Sequence, residues 1–215
     1  MNRIRMIAAL AFVLLAMAGV MGQKSSVGQK QKEPPPDYYP LRVGDWWKYQ
    51  STTGDGKQSE FTMKVLADEK QADGTVMHQV EIMSTTTIHE WYSKPNGWVL
   101  WHREAYAQNN MKVTFEPPRQ FLKNPPTAGA TWSWKGKGMM GVDIDESNQV
   151  ISSEAVEVPA GKFQAMKVET KMTQGGQPLT RTYWYVNWVG FVKGVTESGT
   201  FKSTTVLTDY SFKKR

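Results

Sequence analysis

The side chains able to do chemistry in this chain are few, and they are spaced more like strand residues than like a catalytic site. The sharpest string runs over residues 143–154, Asp143-Ile144-Asp145-Glu146-Ser147-Asn148-Gln149-Val150-Ile151-Ser152-Ser153-Glu154. It sets oxygens at positions 1, 3, 5 and 12 of a calcium loop, with an aliphatic residue at position 8. Asn148, however, stands where the loop turns on glycine, Ile151 takes a place that normally carries a polar group, and no helical pattern flanks the string. It reads as an acidic loop leading into a strand at residues 155–158. Just upstream, Gly136-Lys137-Gly138-Met139-Met140-Gly141 has the glycine spacing of a dinucleotide-binding turn. That chemistry needs a helix N-terminus to receive the pyrophosphate. Val142-Asp143-Ile144-Asp145 is instead acidic and strand-like, so the glycines make a turn.

There are three histidines, His78, His89 and His102, and no cysteine. A zinc-thiolate site, a cysteine nucleophile and disulfides are therefore excluded, as is a lipobox cysteine for lipid anchoring. Serine-nucleophile, zinc-protease and phosphate-loop motifs are absent. No metal ligand set, cofactor or catalytic residue is assigned. An enzyme would require two or more of His78, His89, His102, Glu90 and Glu104 to converge in one cleft. The conspicuous residues are apolar: nine tryptophans and twelve methionines. Trp46-Trp47, Trp91-Tyr92 and Trp184-Tyr185 are adjacent pairs, so each strand carrying one sends large rings to both of its faces. Either the second face is covered by another part of the chain, or it forms an apolar surface that receives a hydrophobic ligand. For such a ligand the candidate lining is Trp91, Trp98, Trp101 and Trp184.

The elements that must hold these residues are strands. Phe61, Met63 and Val65 alternate with Thr62, Lys64 and Leu66, and Val76, His78, Val80 and Ile82 alternate with their neighbours. Turn residues punctuate the runs at Gly54-Asp55-Gly56, Asp73-Gly74, Pro95-Asn96-Gly97, Pro159-Ala160-Gly161 and Gly175-Gly176. Pro95-Asn96-Gly97 predicts a three-residue hairpin loop with a glycine bulge, pairing Lys94 with Trp98 and Trp91 with Trp101. In that register Trp98 faces away from Trp91 and Trp101, and His89 and His102 lie on opposite faces. Pro159-Ala160-Gly161 predicts a loop of the same kind. No helical stripe follows residue 22 beyond one turn at 119–123.

Two landmark sets recur in order. Gly44-x-x-Trp47-x-Tyr49 returns as Gly129-x-x-Trp132-x-Trp134, and Trp91-Tyr92 with Gly97-Trp98-Val99 returns as Trp184-Tyr185 with Gly190-Phe191-Val192. The order predicts a supersecondary unit used twice. The fold expected is all-β: an antiparallel meander of about 10–12 strands in two related repeats, curved into a half-barrel or flattened barrel. The expected boundaries are repeat one at 39–105, a crossover at 106–123 and repeat two at 124–200, within a single domain at 38–212.

Residues 1–22 read as a signal peptide. Arg3 and Arg5 precede an apolar run at 6–15, and small residues offer cleavage between Ala18 and Gly22; an uncleaved anchor is the alternative. Residues 23–37 are polar, end in three prolines and predict a disordered spacer. The formal charge of +6 misleads. Of 26 Lys and Arg, five precede Tyr38 and three follow Phe212; two of the 20 acids also fall outside, which leaves 18 of each sign in the folded part. A nucleic-acid surface would concentrate positive charge there, so nucleic acid is set aside.

Tyr38-Tyr39-Pro40-Leu41 to Trp47, Val158-Pro-Ala-Gly-x-Phe163 and the segment from Tyr183 to Lys193 resemble motifs of an exported bacterial all-β family of unknown function. That family is similar in architecture to the lipoprotein-carrier half-barrel of the bacterial envelope (LolA/LolB-like). The resemblance covers most of the chain after residue 38 and implies an open, curved sheet with an apolar inner face. It carries no catalytic residue over. Together these readings predict a periplasmic or secreted, non-catalytic binding module for an apolar small molecule, a lipid or a partner's apolar segment. The competing reading is an envelope interaction domain with a filled core, partnered by another envelope protein and without a membrane span after signal cleavage.

Overall fold

The computed structural model describes residues 34–212. The signal peptide and most of the spacer expected from the sequence lie outside the described residues. Within them the chain is all β: β1 (Trp46–Thr53), β2 (Gln58–Lys70), β3 (Val76–Met83), β4 (Thr87–Ser93), β5 (Trp98–Tyr106), β6 (Met111–Lys123), β7 (Thr131–Lys137), β8 (Asp143–Val158), β9 (Gly161–Gln174), β10 (Gln177–Val186), β11 (Gly190–Ser198) and β12 (Phe201–Tyr210). A short 3-10 turn at Met139–Gly141 uses the glycine-rich string between β7 and β8 as a turn.

All ladders are antiparallel, in the order β6-β5-β4-β3-β2-β1-β12-β11-β10-β9-β8-β7. The two edge strands are thus consecutive in the chain, and the sheet curls until they meet in a nearly closed barrel. The seam between them cannot zip as a ladder, because β6 carries Pro117 and Pro118, which have no N–H to donate. Side chains bridge it instead. The indole of Trp132 donates to the Gln120 carbonyl at 2.8 Å and that of Trp134 to the Pro117 carbonyl at 3.0 Å. Gly136 is required beside them, since a Cβ there would collide with the Trp134 ring.

Several local expectations are corrected. The span expected as a crossover at 106–123 contains β6, and residues 119–123 are extended, because Arg119 and Leu122 find partners inside the barrel. The acidic string is no loop: it lies in β8, the longest strand, with Ile144, Glu146, Asn148 and Val150 buried and residues 143, 145, 147 and 149 exposed. The hairpin between β4 and β5 turns on two residues. Asn96 and Gly97 both have positive φ (50° and 76°), and the Trp98 N–H reaches the Pro95 carbonyl at 2.9 Å. Asn-Gly is the sequence that this mirror-image turn favours, since its twist suits the flanking strands. Tyr92 therefore pairs with Trp101, and Trp91 with Arg103 after a bulge at His102. The loop between β8 and β9 is likewise two residues long, Val158 pairing with Gly161.

The landmarks fall on corresponding strands. Gly44 and Gly129, both at positive φ, precede the first strand of each set of six. Gly44 N–H donates to the Val65 carbonyl and the Val65 N–H to Asp45; Gly129 N–H donates to Val150 and the Val150 N–H to Ala130. Bulges follow at Val65/Ala67 and at Val150/Ser152.

Candidate functional site

The interior is built from inward-facing residues of the strands and from the segment that precedes β1. Asp37, expected at the end of a disordered spacer, is instead an anchor. Its carboxylate accepts from Lys94 Nζ at 2.6 Å and from Asn124 Nδ2 at 2.8 Å, its N–H reaches Asn187 Oδ1, and its carbonyl accepts from the Trp188 N–H. These partners come from the turns after β4, β6 and β10, so the segment is tied across one end of the barrel. The tie drops Tyr39 into the interior, 5.4 Å from the Tyr92 ring, 5.3 Å from Phe121 and 6.4 Å from Tyr185.

Next to Tyr39 the interior stays partly open as a pocket of about 290 Å³. Its walls are Phe61 and Met63 from β2, Ile82 from β3, Tyr92 from β4, Trp101 from β5, Phe121 from β6, Tyr183 and Tyr185 from β10 and Phe191 from β11. Two polar groups interrupt them, Glu90 on β4 and Arg181 on β10, with Thr196 paired opposite Arg181. Gly194 makes room for this wall: a Cβ there would stand 2.9 Å from the Phe191 ring and 3.1 Å from that of Tyr183. Two larger hollows, of about 390 and 380 Å³, lie against β7 to β10. Exposed Thr131, Ser133, Ser147 and Gln149 line much of the first, and exposed Asp145, Lys171 and Pro178 much of the second. An apolar concavity with a few convergent polar groups is the better ligand site, and of these three the interior pocket has that character.

The charged groups inside are individually placed. Glu90 pairs with Glu104 across β4 and β5, both buried, and accepts the Tyr92 hydroxyl at 2.6 Å, while Glu104 accepts that of Tyr106. Burial drives the Glu90 carboxyl up to about 7, against the lowering effect of the Tyr92 bond, and the charge of Glu104 adds to the rise. Glu104 is raised by the same desolvation. Arg119 opposes burial by pairing with Glu146, Nε to Oε1 at 3.1 Å with a second bond from its terminal nitrogen. That ion pair spans the seam, and its guanidinium lies over the rings of Trp101 and Trp134. Arg181 is half-buried and has no ion pair or hydrogen bond from its side chain among the described residues.

Of the four tryptophans proposed as lining, Trp101 alone faces the pocket. Trp91 lies on the opposite side of β4 from Tyr92. Its indole donates to Glu69 at 2.8 Å, and Arg103 covers its ring at 4.3 Å. Trp184 repeats that arrangement, donating to Glu154 at 2.7 Å with Lys193 and Lys167 over the ring. Trp98 packs edge-on to Trp132 under Lys123, on the other side of β5 from Val99 and Trp101. The expected grouping of Trp91 with Trp101 fails because the two-residue turn and the His102 bulge shift the register. The histidines do not converge either: His78 meets Asp68, His89 meets Glu81 and His102 meets Ser93. Among the described residues no three His, Cys, Asp or Glu are grouped to hold a metal. Sequence reasoning missed Tyr39, Arg181 and the Arg119–Glu146 pair. The alternation Arg181, Tyr183, Tyr185 and the alternation Ile144, Glu146, Asn148, Val150 were the signals that marked them as inward.

No family model matches the chain, and no curated protein matches it. Among solved structures it is similar to a protein of Bacteroides fragilis NCTC 9343, described as exported and of YmcC-like fold. The TM-score is 0.53 at 14% identity, over 82% of this chain and 99% of that one. A protein of Parabacteroides distasonis ATCC 8503, described as a lipoprotein, gives a TM-score of 0.46 at 16% identity, over 83% and 100% of the two chains. The first likeness shows that the fold is shared.

Proposed function

We propose that the protein is an exported, non-catalytic binding module whose interior pocket holds an apolar ligand or an apolar segment of a partner. The single observation that carries this reading is the aromatic pocket beside Tyr39, walled by residues of seven strands and left unfilled by the side chains of the described residues. Its volume sits near the lower end of ordinary ligand sites, so one slender apolar group suits it better than a bulky one. The N-terminal signal pattern and the exported character ascribed to the Bacteroides fragilis protein support work outside the cytoplasm.

Trp101 makes the reading testable by intrinsic fluorescence, since it is the tryptophan in the pocket wall. Titration with decan-1-ol below its solubility limit is expected to shift and saturate the emission, and Trp101→Phe to abolish most of that change while Trp91→Phe preserves it. A folded protein whose emission is indifferent to decan-1-ol and similar chains would favour the interaction domain with a filled core.

A further inference from the structure

The pocket's polar groups are not equivalent. Glu90 is almost fully buried, already accepts the Tyr92 hydroxyl and can shed its charge by taking a proton. Arg181 can do none of this. A guanidinium stays charged at any physiological pH, carries five donors in a planar fork and matches a carboxylate bidentately. Here it is half-buried in an aromatic wall with no side-chain ion pair or hydrogen bond among the described residues, whereas the interior's other arginine, Arg119, is bonded to Glu146. Position on β10 fixes its direction: Arg181, Tyr183 and Tyr185 are alternate residues and all three line the pocket. The guanidinium acts electrostatically on Glu90 and Glu104 but bonds neither, so an apolar slot with this fork of donors in its wall is complementary to a chain with an anionic end.

Resting on the binding role proposed above, we propose that Arg181 is the headgroup site of the pocket and that the ligand is a single-chain amphiphile with a carboxylate terminus. The chain lies against Phe61, Met63, Tyr183 and Phe191, and the carboxylate takes the guanidinium's donors with Thr196 beside it.

Three probes with the same ten-carbon chain separate the terms: decanoate and decyltrimethylammonium below their critical micelle concentrations and decan-1-ol below its solubility limit, each titrated calorimetrically at neutral pH. Wild type is expected to bind decanoate about tenfold or more tighter than decan-1-ol, the size of one charge-assisted bond over a neutral one. Arg181→Gln is expected to erase that preference, bringing decanoate down to or below the affinity of decan-1-ol, and Arg181→Lys to restore part of it without the bidentate geometry. Unchanged thermal midpoints in both variants establish that the pocket is intact. Equal binding of decanoate and decan-1-ol, a preference for the ammonium probe, or an Arg181→Gln protein that keeps the decanoate preference would each overturn the headgroup assignment and leave the apolar pocket standing. Failure of all three probes to bind would remove the binding module itself.

Discussion

The six strands β1–β6 and the six strands β7–β12 hold the same landmarks in different chemistry. Adding 85 to Gly44, Val65 and Glu69 reaches Gly129, Val150 and Glu154; adding 93 to Trp91, Tyr92 and Gly97 reaches Trp184, Tyr185 and Gly190. Turn hydrogen bonds, bulges and the outer tryptophan–glutamate bond all follow these offsets. We propose that the halves are one unit repeated, with the extra eight residues absorbed in the longer strands β8 and β9. The inward positions between the landmarks have diverged. Phe61 and Met63 on β2 correspond to Glu146 and Asn148 on β8, and Ile88 and Glu90 on β4 to Arg181 and Tyr183 on β10. The first half's second strand presents an apolar wall; the second half's presents a buried carboxylate that needs Arg119. On that proposal a repeated frame supplies the barrel twice, and substitution at alternate inward positions makes one side a pocket and the other a seam.

The contrast between Phe61 and Glu146 is the one most open to breaking. Glu146→Ala leaves the Arg119 guanidinium buried without its partner and is expected to cost about 3–5 kcal/mol in urea unfolding. Replacing both members with apolar residues (Arg119→Met with Glu146→Leu) is expected to return most of that loss, because the charges themselves carry a desolvation cost. Phe61→Ala, at the corresponding position but only half-buried beside an existing pocket, is expected to cost about 1–2 kcal/mol. A larger loss at Phe61 than at Glu146 would invert the assignment of pocket and seam.

The outer tryptophans sharpen the comparison at smaller amplitude. Trp184 is 7% exposed whereas Trp91 is half-buried. Trp184→Ala is therefore expected to cost about 3 kcal/mol and Trp91→Ala about 1–2 kcal/mol, read as midpoints of chemical unfolding. Neither is expected to change decan-1-ol affinity, since neither ring reaches the pocket. Equal losses would mean that the two outer clusters are packed alike.

Glu90 gives the smallest effect and a pH signature. The unfolded carboxyl releases its proton near 4.5 and the folded one near 7, so between those values the native state holds more protons and stability falls as pH rises. Glu104, raised in the same direction, adds to the slope, while Arg119 and Arg181 moderate it. Glu90→Gln keeps an acceptor for the Tyr92 hydroxyl and removes the ionisation. It is expected to flatten the loss between pH 5 and 8 and to stabilise the protein by about 1–2 kcal/mol at pH 8, measured as thermal midpoints across that range. An unchanged slope would place the titration elsewhere.

Much of this was legible in the chain before any coordinates. Alternation is a local property, so Phe61-Met63-Val65 and Val80-Ile82 declared their strands, and Gly44, Gly97, Gly129 and Gly190 declared their turns through a conformation other residues resist. The ordered landmarks declared the two sixes. The pocket was less legible. Adjacent pairs such as Trp91-Tyr92 announce that both faces carry rings, yet they do not say which ring is inside. That depends on register, and one two-residue turn and one bulge moved Trp91 out and left Trp101 in.

By itself, then, the sequence determined an all-β meander, its turns and the recurrence of its landmarks, because each follows from backbone preference and from periods of a few residues. Only the tertiary structure decided what shares the interior. Tyr39, Trp101, Phe121 and Arg181 are far apart in the chain and meet because the sheet curls until β6 reaches β7. Arg119 and Glu146 meet across that seam for the same reason. Closure of the barrel is a sum over twelve strands of twist and stagger, so no short window of residues carries it.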